Sequence, residues 1–152
     1  MQCDRLSSWA EFLIQGDGVI VQLYPTHQPL TADELYADLS FPPGSDGRPY
    51  VIINMVSSVD GKIALRGRAK GIGSRLDRAA MLRLRAAVDV VMTGAETVRA
   101  GEGDLSVPPE LARRREARGL PDQPLPATVS ARLDLSPDLV FFRQAGRTPV
   151  VF

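Results

Sequence analysis

Short apolar runs in the middle of this chain end abruptly in polar, glycine-containing turns. The clearest covers residues 50–56, where Val51, Ile53 and Met55 alternate with Ile52, Asn54 and Val56. A run that is apolar on both faces predicts a central strand covered by helices on each side. It empties into Ser57, Ser58, Asp60 and Gly61, and in open α/β sheets the crevice beyond the strands' carboxyl ends is the usual ligand position. Asp60-Gly61 also has the chemistry of a plain turn, because Asp bonds neighbouring backbone and Gly accepts positive φ. Taken by itself, the stretch favours the plain turn. Residues 88–93 form a second apolar run, emptying into the polar turn of residues 94–103. Residues 126–130, 139–142 and 148–152 read as further short strands, and residues 19–24 as another after the Gly16-Asp-Gly18 turn.

Helical signals lie between these runs. Thr31 with Glu34 is a capping box that predicts a short helix over about residues 32–39, and the proline and glycine of residues 42–47 then break the chain. Ser74 with Asp77 opens a second helix, in which Leu76, Ala80, Leu84 and Ala87 share one stripe through about Val88. The loop before it, residues 66–73, holds three glycines and three cations, and a positive Gly-rich loop feeding a helix start suits an anion. Residues 108–118, with proline at the start and Gly119 past the end, predict an exposed helix. Strands alternating with helices predict an α/β domain with a mostly parallel sheet covered on both faces. The chain ends on apolar Val150-Val151-Phe152, so that this strand is either an edge or the start of something incomplete.

Composition narrows the functional classes. With 152 residues, 44% hydrophobic and 24% charged, one soluble domain is the default. A single Cys3 rules out an internal disulfide, and one His27 beside it leaves no nitrogen and sulfur metal cluster. Neither a signal-peptide pattern nor a bilayer-length apolar stretch is present, which points to a cytoplasmic protein without membrane contact. Net charge is zero, yet residues 62–118 carry 13 basic and 7 acidic side chains, and eleven of the basic ones are arginine. Such a bias suits phosphate-bearing ligands. Arg113, Arg114, Arg115 and Arg118 read instead as one solvated helix face. Without net positive charge or aromatics interleaved among the cations, nucleic acid is not an expected partner.

Two longer blocks carry a family likeness. Arg48-Pro-Tyr-Val-Ile-Ile-Asn-Met-Val-Ser-Ser-Val-Asp-Gly-Lys62, followed by Leu84-Arg-Ala-Ala-Val-Asp-Val-Val-Met-Thr-Gly-Ala-Glu-Thr-Val-Arg-Ala100, resembles the pyrimidine reductase domain of riboflavin biosynthesis, the RibD C-terminal family. The likeness covers residues 48–152 and leaves residues 1–47 as an N-terminal extension with the short helix. It implies a dihydrofolate-reductase-like, three-layer α/β/α fold, incomplete here at its C-terminal end. It further implies NADPH as cofactor, a homodimer, and a phosphate-bearing ribosylamino pyrimidine as substrate, reduced by hydride transfer to the sugar C1′. In such chemistry the cofactor supplies the reactivity and the protein supplies orientation.

Carried over by position, the resemblance puts Val56, Ser57, Gly71, Gly73, Thr97 and Ser130 at the cofactor. It puts Lys70, Arg85 and Leu105 at the substrate, and makes Asp60 the shaper of the site turn or a proton relay. Departures from the family pattern are equally legible. Acidic residues followed by a proline are usual after the Thr-Val-Arg-Ala block, whereas Gly101-Glu-Gly-Asp-Leu105 stands here; Pro108-Pro109 replaces a usual arginine. The family's later Gly-rich phosphate-gripping turn is not in this sequence. Three alternatives stay open at this level: a dihydrofolate-reductase-like enzyme, an unassigned paralogous reductase, or a catalytically inactive binding or oligomerisation module.

Overall fold

The computed structural model describes residues 12–14, 20–22, 27–31, 34, 36, 39–66, 68, 71–144 and 147–152. The chain divides into two units, Met1–Ala37 and Asp38–Phe152. In the first, β1 (Phe12–Ile14), β2 (Ile20–Gln22) and β3 (Gln28–Leu30) form an antiparallel sheet in that order. Pro29 lies opposite Val21 on the outer strand β3, where a residue without an N–H does least harm to a ladder. The strand expected over 19–24 is thus β2, and its two partners carry too few residues to register as a pattern.

The helix expected over 32–39 falls mostly outside the described residues. Its capping box does form: Thr31 N donates to Glu34 Oε2 at 2.8 Å, and Glu34 N to Thr31 Oγ1 at 3.3 Å. Glu34 and Tyr36 are nevertheless turn residues, and Tyr36 has φ of 58°, which an α-helix does not tolerate.

The second unit is α/β, as expected. Helix α1 (Arg75–Ala87) starts at Ser74, whose Oγ accepts from Asp77 N at 3.1 Å. It is followed by β4 (Val90–Gly94), α2 (Ala95–Arg99), α3 (Pro109–Ala117), β5 (Leu125–Val129), a 3-10 turn (Val140–Arg143) and β6 (Val150–Val151). The three strands are parallel in the order β4-β5-β6. Pro126 sits in the middle strand without breaking the sheet, because pairing to β6 starts one residue later at Ala127. The missing N–H therefore faces no partner. Two core clusters stabilise this unit. Leu82 and Ala86 of α1 pack with Val107, Leu111 and Ala112, while Val98, Leu105 and Phe141 pack beneath the sheet with Val91 and Val151.

Four expectations need correction. Residues 50–56 join no strand ladder, and Val51, Ile53 and Met55 are exposed; alternation supplied a strand-like sequence, but no neighbouring strand pairs with it. Residues 139–142 form the 3-10 turn instead of a strand. This lets Phe141 bury completely, with Phe142 packed edge-on at 5.1 Å. The polar turn expected after β4 is partly the helix α2. Finally, Arg115 is not on a solvated face: it is 1% exposed, and its guanidinium donates to the carbonyls of Arg85, Ala86, Val88 and Pro121.

Candidate functional site

Parallel strands leave their last carbonyls and the following loops at one end of the sheet, and there the structure opens a cavity of 320 Å³. Gly94 and Ala95 bring β4 into α2 at its rim; Val129, Ser130 and Ala131 close it from the end of β5. Arg99 and Arg132 bring two cations to the lining, and Glu96 one carboxylate. Its position beyond the carboxyl ends of adjacent parallel strands is the one expected of an α/β ligand site.

The side chains around it are held in place. Ser130 is buried; its N–H donates to Phe152 O at 2.8 Å, and its Oγ accepts from Leu133 N at 3.1 Å. Arg99 pairs with Glu96 at 2.5 Å and with Asp134, and its Nη2 reaches Ser130 Oγ at 3.5 Å. The hydrogen bond that Arg99 donates to Asp134, more than any other influence, raises the Arg99 pKa above its ordinary value, and the same bond lowers that of Asp134. Arg99 Nε is buried with no hydrogen-bond partner among the described residues. Two guanidiniums and a hydroxyl form a donor set that fits phosphate oxygens.

A second polar constellation follows residues 50–56. Ser58 Oγ donates to Asp60 Oδ1 at 2.5 Å, Lys62 N donates to Ser58 Oγ at 3.0 Å, and Lys62 Nζ lies 2.7 Å from Asp60 Oδ2. Gly61 has φ of 79°, the left-handed conformation that closes such a turn. Lys62 first and Ser58 second lower the Asp60 pKa, so that Asp60 stays ionised near neutrality.

Of the sequence-derived candidates, Ser130 lines the cavity. Thr97 lies on α2 between the two lining residues Glu96 and Arg99, and is half-buried. Val56 is half-buried and Ser57 exposed, both leading into the Asp60 turn and neither lining the cavity. Gly71 and Gly73 precede α1; a Cβ on Gly73 would fall 2.1 Å from Asp77 Oδ2, so a larger residue there would make the Asp77 carboxylate turn away. Arg85 Nη1 donates to Asp104 O at 3.0 Å, and burial is the chief cause lowering its pKa. Leu105 is a core residue against Val98 and Phe141. Lys70 lies outside the described residues. Glu96, Arg99 and Arg132 had not been assigned a role from the sequence. Their signal was positional: each follows closely on the end of an apolar run.

Residues 49–152 match the RibD C-terminal domain family, more than half of the chain. The chain belongs to the RibD C-terminal domain family. One relative is the 2,5-diamino-6-ribosylamino-4(3H)-pyrimidinone 5′-phosphate reductase of Archaeoglobus fulgidus, 38% identical over 87 residues, a match covering 56% of this chain and 40% of that protein. A solved structure, a pyrimidine reductase-like protein from Corynebacterium diphtheriae, superposes with a TM-score of 0.52 at 24% identity, covering 56% of this chain and 35% of that one. That likeness shows a shared fold. The RibD C-terminal domain chain thus spans less than half the length of these two proteins. Among its described residues no helix is long and apolar enough to cross a membrane, and no group of three or more His, Cys, Asp or Glu side chains is placed to hold a metal ion.

Proposed function

We propose that this chain carries the nicotinamide-binding side of an NADPH-dependent reductase acting on a phosphate-bearing ribosylamino pyrimidine. The observation that carries the reading is the cavity at the ends of β4 and β5, lined by Gly94, Ala95, Glu96 and Arg99 of the Thr-Gly-Ala-Glu-Thr-Val-Arg-Ala block and by Ser130. The name of the Archaeoglobus relative supports the substrate class.

Ser130, Arg99 and Arg132 would hold the cofactor's anionic groups, with Thr97 beside them, and Val56, Ser57, Gly71 and Gly73 would complete its contacts. NADPH, when bound, supplies the hydride. That hydride would reduce substrate C1′, with the ring oxygen taking a proton as the C1′–O bond opens, to give the ribitylamino form. The protein's contribution is orientation and charge placement. Arg85 and Lys70 serve the substrate phosphate, with Leu105 on the substrate side of the following loop. Asp60 is held ionised by Lys62 and Ser58, which suits it to fixing the turn after Val56 and makes it a poor proton donor.

The test follows NADPH absorbance in the presence of 2,5-diamino-6-ribosylamino-4(3H)-pyrimidinone 5′-phosphate. Substrate-dependent oxidation that falls at least about tenfold in kcat/KM for Arg85→Ala supports the reading. No substrate-dependent oxidation by the folded protein refutes it.

A further inference from the structure

Both arginines that line the cavity are already engaged by carboxylates. Arg99 donates through Nη1 to Glu96 at 2.5 Å and through Nη2 to Asp134 Oδ1, while Arg132 Nε lies 3.6 Å from Asp134 Oδ2. Asp134 is outside the lining itself, yet its two oxygens are shared between the two guanidiniums that a ligand's phosphate would meet. Two cations set against two carboxylates leave the site near neutral, so little field draws an anion in.

The engagement of Arg99 is incomplete. Its Nε is buried with no hydrogen-bond partner among the described residues, and a buried donor left unpaired works against the fold. A phosphate bound bidentately takes two parallel donors of one guanidinium, whereas Asp134 takes Nη2 and leaves the neighbouring Nε empty. Ser130 Oγ, 3.5 Å from Nη2, is at the far limit of a hydrogen bond. Of the two partners, Asp134 is the one able to leave: its side chain is 47% exposed against 24% for Arg99, so its carboxylate regains water on release and the exchange is cheap. The preceding Leu133 has φ of 53°, a left-handed backbone that a branched side chain holds only at a cost. The turn presenting Asp134 is therefore not in its relaxed geometry.

We propose that Asp134 is an internal competitor for the anion site: its carboxylate holds Arg99 Nη2 in the free chain, and the phosphate group of an incoming ligand displaces it, taking Nη2 and the empty Nε together. Asp134 turns to water, and Arg132 is released with it. Asp134 thus sets how tightly the site binds by opposing the ligand, although it touches none. The inference rests on the reading of this cavity as the place of the cofactor's anionic groups.

The test titrates NADPH and, separately, inorganic pyrophosphate into wild type, Asp134→Asn and Asp138→Asn, with affinity read by calorimetry and the Arg99 Nε–H resonance followed by NMR. Asp138 pairs with Arg143 at an exposed position, so Asp138→Asn removes the same charge nearby and isolates the effect of net charge alone. Asp134→Asn should bind both ligands at least about threefold more tightly than wild type, and Asp138→Asn should stay within about 1.5-fold. In wild type the Nε–H resonance should move downfield as NADPH saturates. An Nε–H that stays put at saturation, or an Asp134→Asn chain that binds no tighter than Asp138→Asn, overturns the proposal and leaves the cofactor reading standing. Pyrophosphate held more tightly by Asp134→Asn, with no NADPH binding by any of the three, keeps the competition and overturns the cofactor reading. Binding of neither ligand by any of them overturns both.

Discussion

Replacing Arg115 by methionine should destabilise the Asp38–Phe152 unit by about 3 kcal/mol. Arg115 is buried, and its Nη1 donates to Val88 O at 2.6 Å, Ala86 O at 3.1 Å and Arg85 O at 3.3 Å, while Nε donates to Pro121 O at 2.8 Å. The last carbonyls of α1 have no partner within their own helix, and a cation at a helix C-terminus also meets the favourable end of its dipole. One side chain of α3 therefore closes α1 and ties the segment before β5 to both. Burial is the largest cause lowering the guanidinium's pKa, but arginine stays protonated throughout the working pH range. Hydrogen bonds from a charged donor contribute about 1.5–3 kcal/mol each. Three carbonyls share the two hydrogens of Nη1, so these contributions do not add in full, and methionine regains part of the loss by avoiding the burial of a charge. A net cost of about 3 kcal/mol corresponds to a fall of about 10 °C in Tm for a unit of this size. Urea unfolding followed by circular dichroism measures it, with Arg114→Met, exposed on the same helix, as a comparator expected to stay within about 0.5 kcal/mol of wild type. If Arg115→Met matches that comparator, the assignment of Arg115 as the closure of α1 is wrong.

Other expectations follow from single contacts. Gly103→Ala should cost about 1–3 kcal/mol in the same assay, because its Cβ would lie 2.9 Å from the Cβ of buried Phe141. Ser74→Ala should cost about 1 kcal/mol through loss of the 3.1 Å cap to Asp77 N, and Ser74→Asp should restore most of it. Asp104 should titrate below the ordinary carboxylate value in a carbon-detected NMR series, mainly because Ser106 Oγ donates to it at 2.6 Å. A depressed folded-state pKa gives stability that is present above the unfolded value near pH 3.9 and is lost as pH falls through the folded value. Asp104→Asn should therefore flatten the acid limb of the stability profile, and an unchanged limb would count against the contact.

What could be read from the sequence was what is decided locally. α1 and α3 announce themselves through Ser74, Asp77, Pro108 and Gly119, and the runs that became β4 and β5 needed only a compact apolar stretch with a turn after it. Residues 50–56 show the limit: alternation describes a strand, but a strand exists only beside another, and no local pattern names the partner. The 3-10 turn at Val140–Arg143 was misread because four apolar residues fit a strand or a helical turn equally well. Arg115 was hidden by its charge, although it follows Leu111 by four positions and Ala112 by three, and all three are buried on one face of α3. Periodicity outweighed polarity there because the carbonyls at the end of α1 needed a donor. At the cavity, Ser130 was legible through the family likeness. Arg99 and Arg132 were not, since meeting across β4 and β5 depends on the sheet register.

The central claim is that the ends of β4 and β5 form a cofactor-binding surface, and calorimetric titration of NADPH into the purified chain tests it most directly. Saturable binding is expected below about 1 mM, weakened at least about tenfold by Arg132→Ala, an exposed cavity residue whose loss leaves the core intact. The absence of saturable binding at millimolar cofactor, or binding indifferent to Arg132, would contradict it.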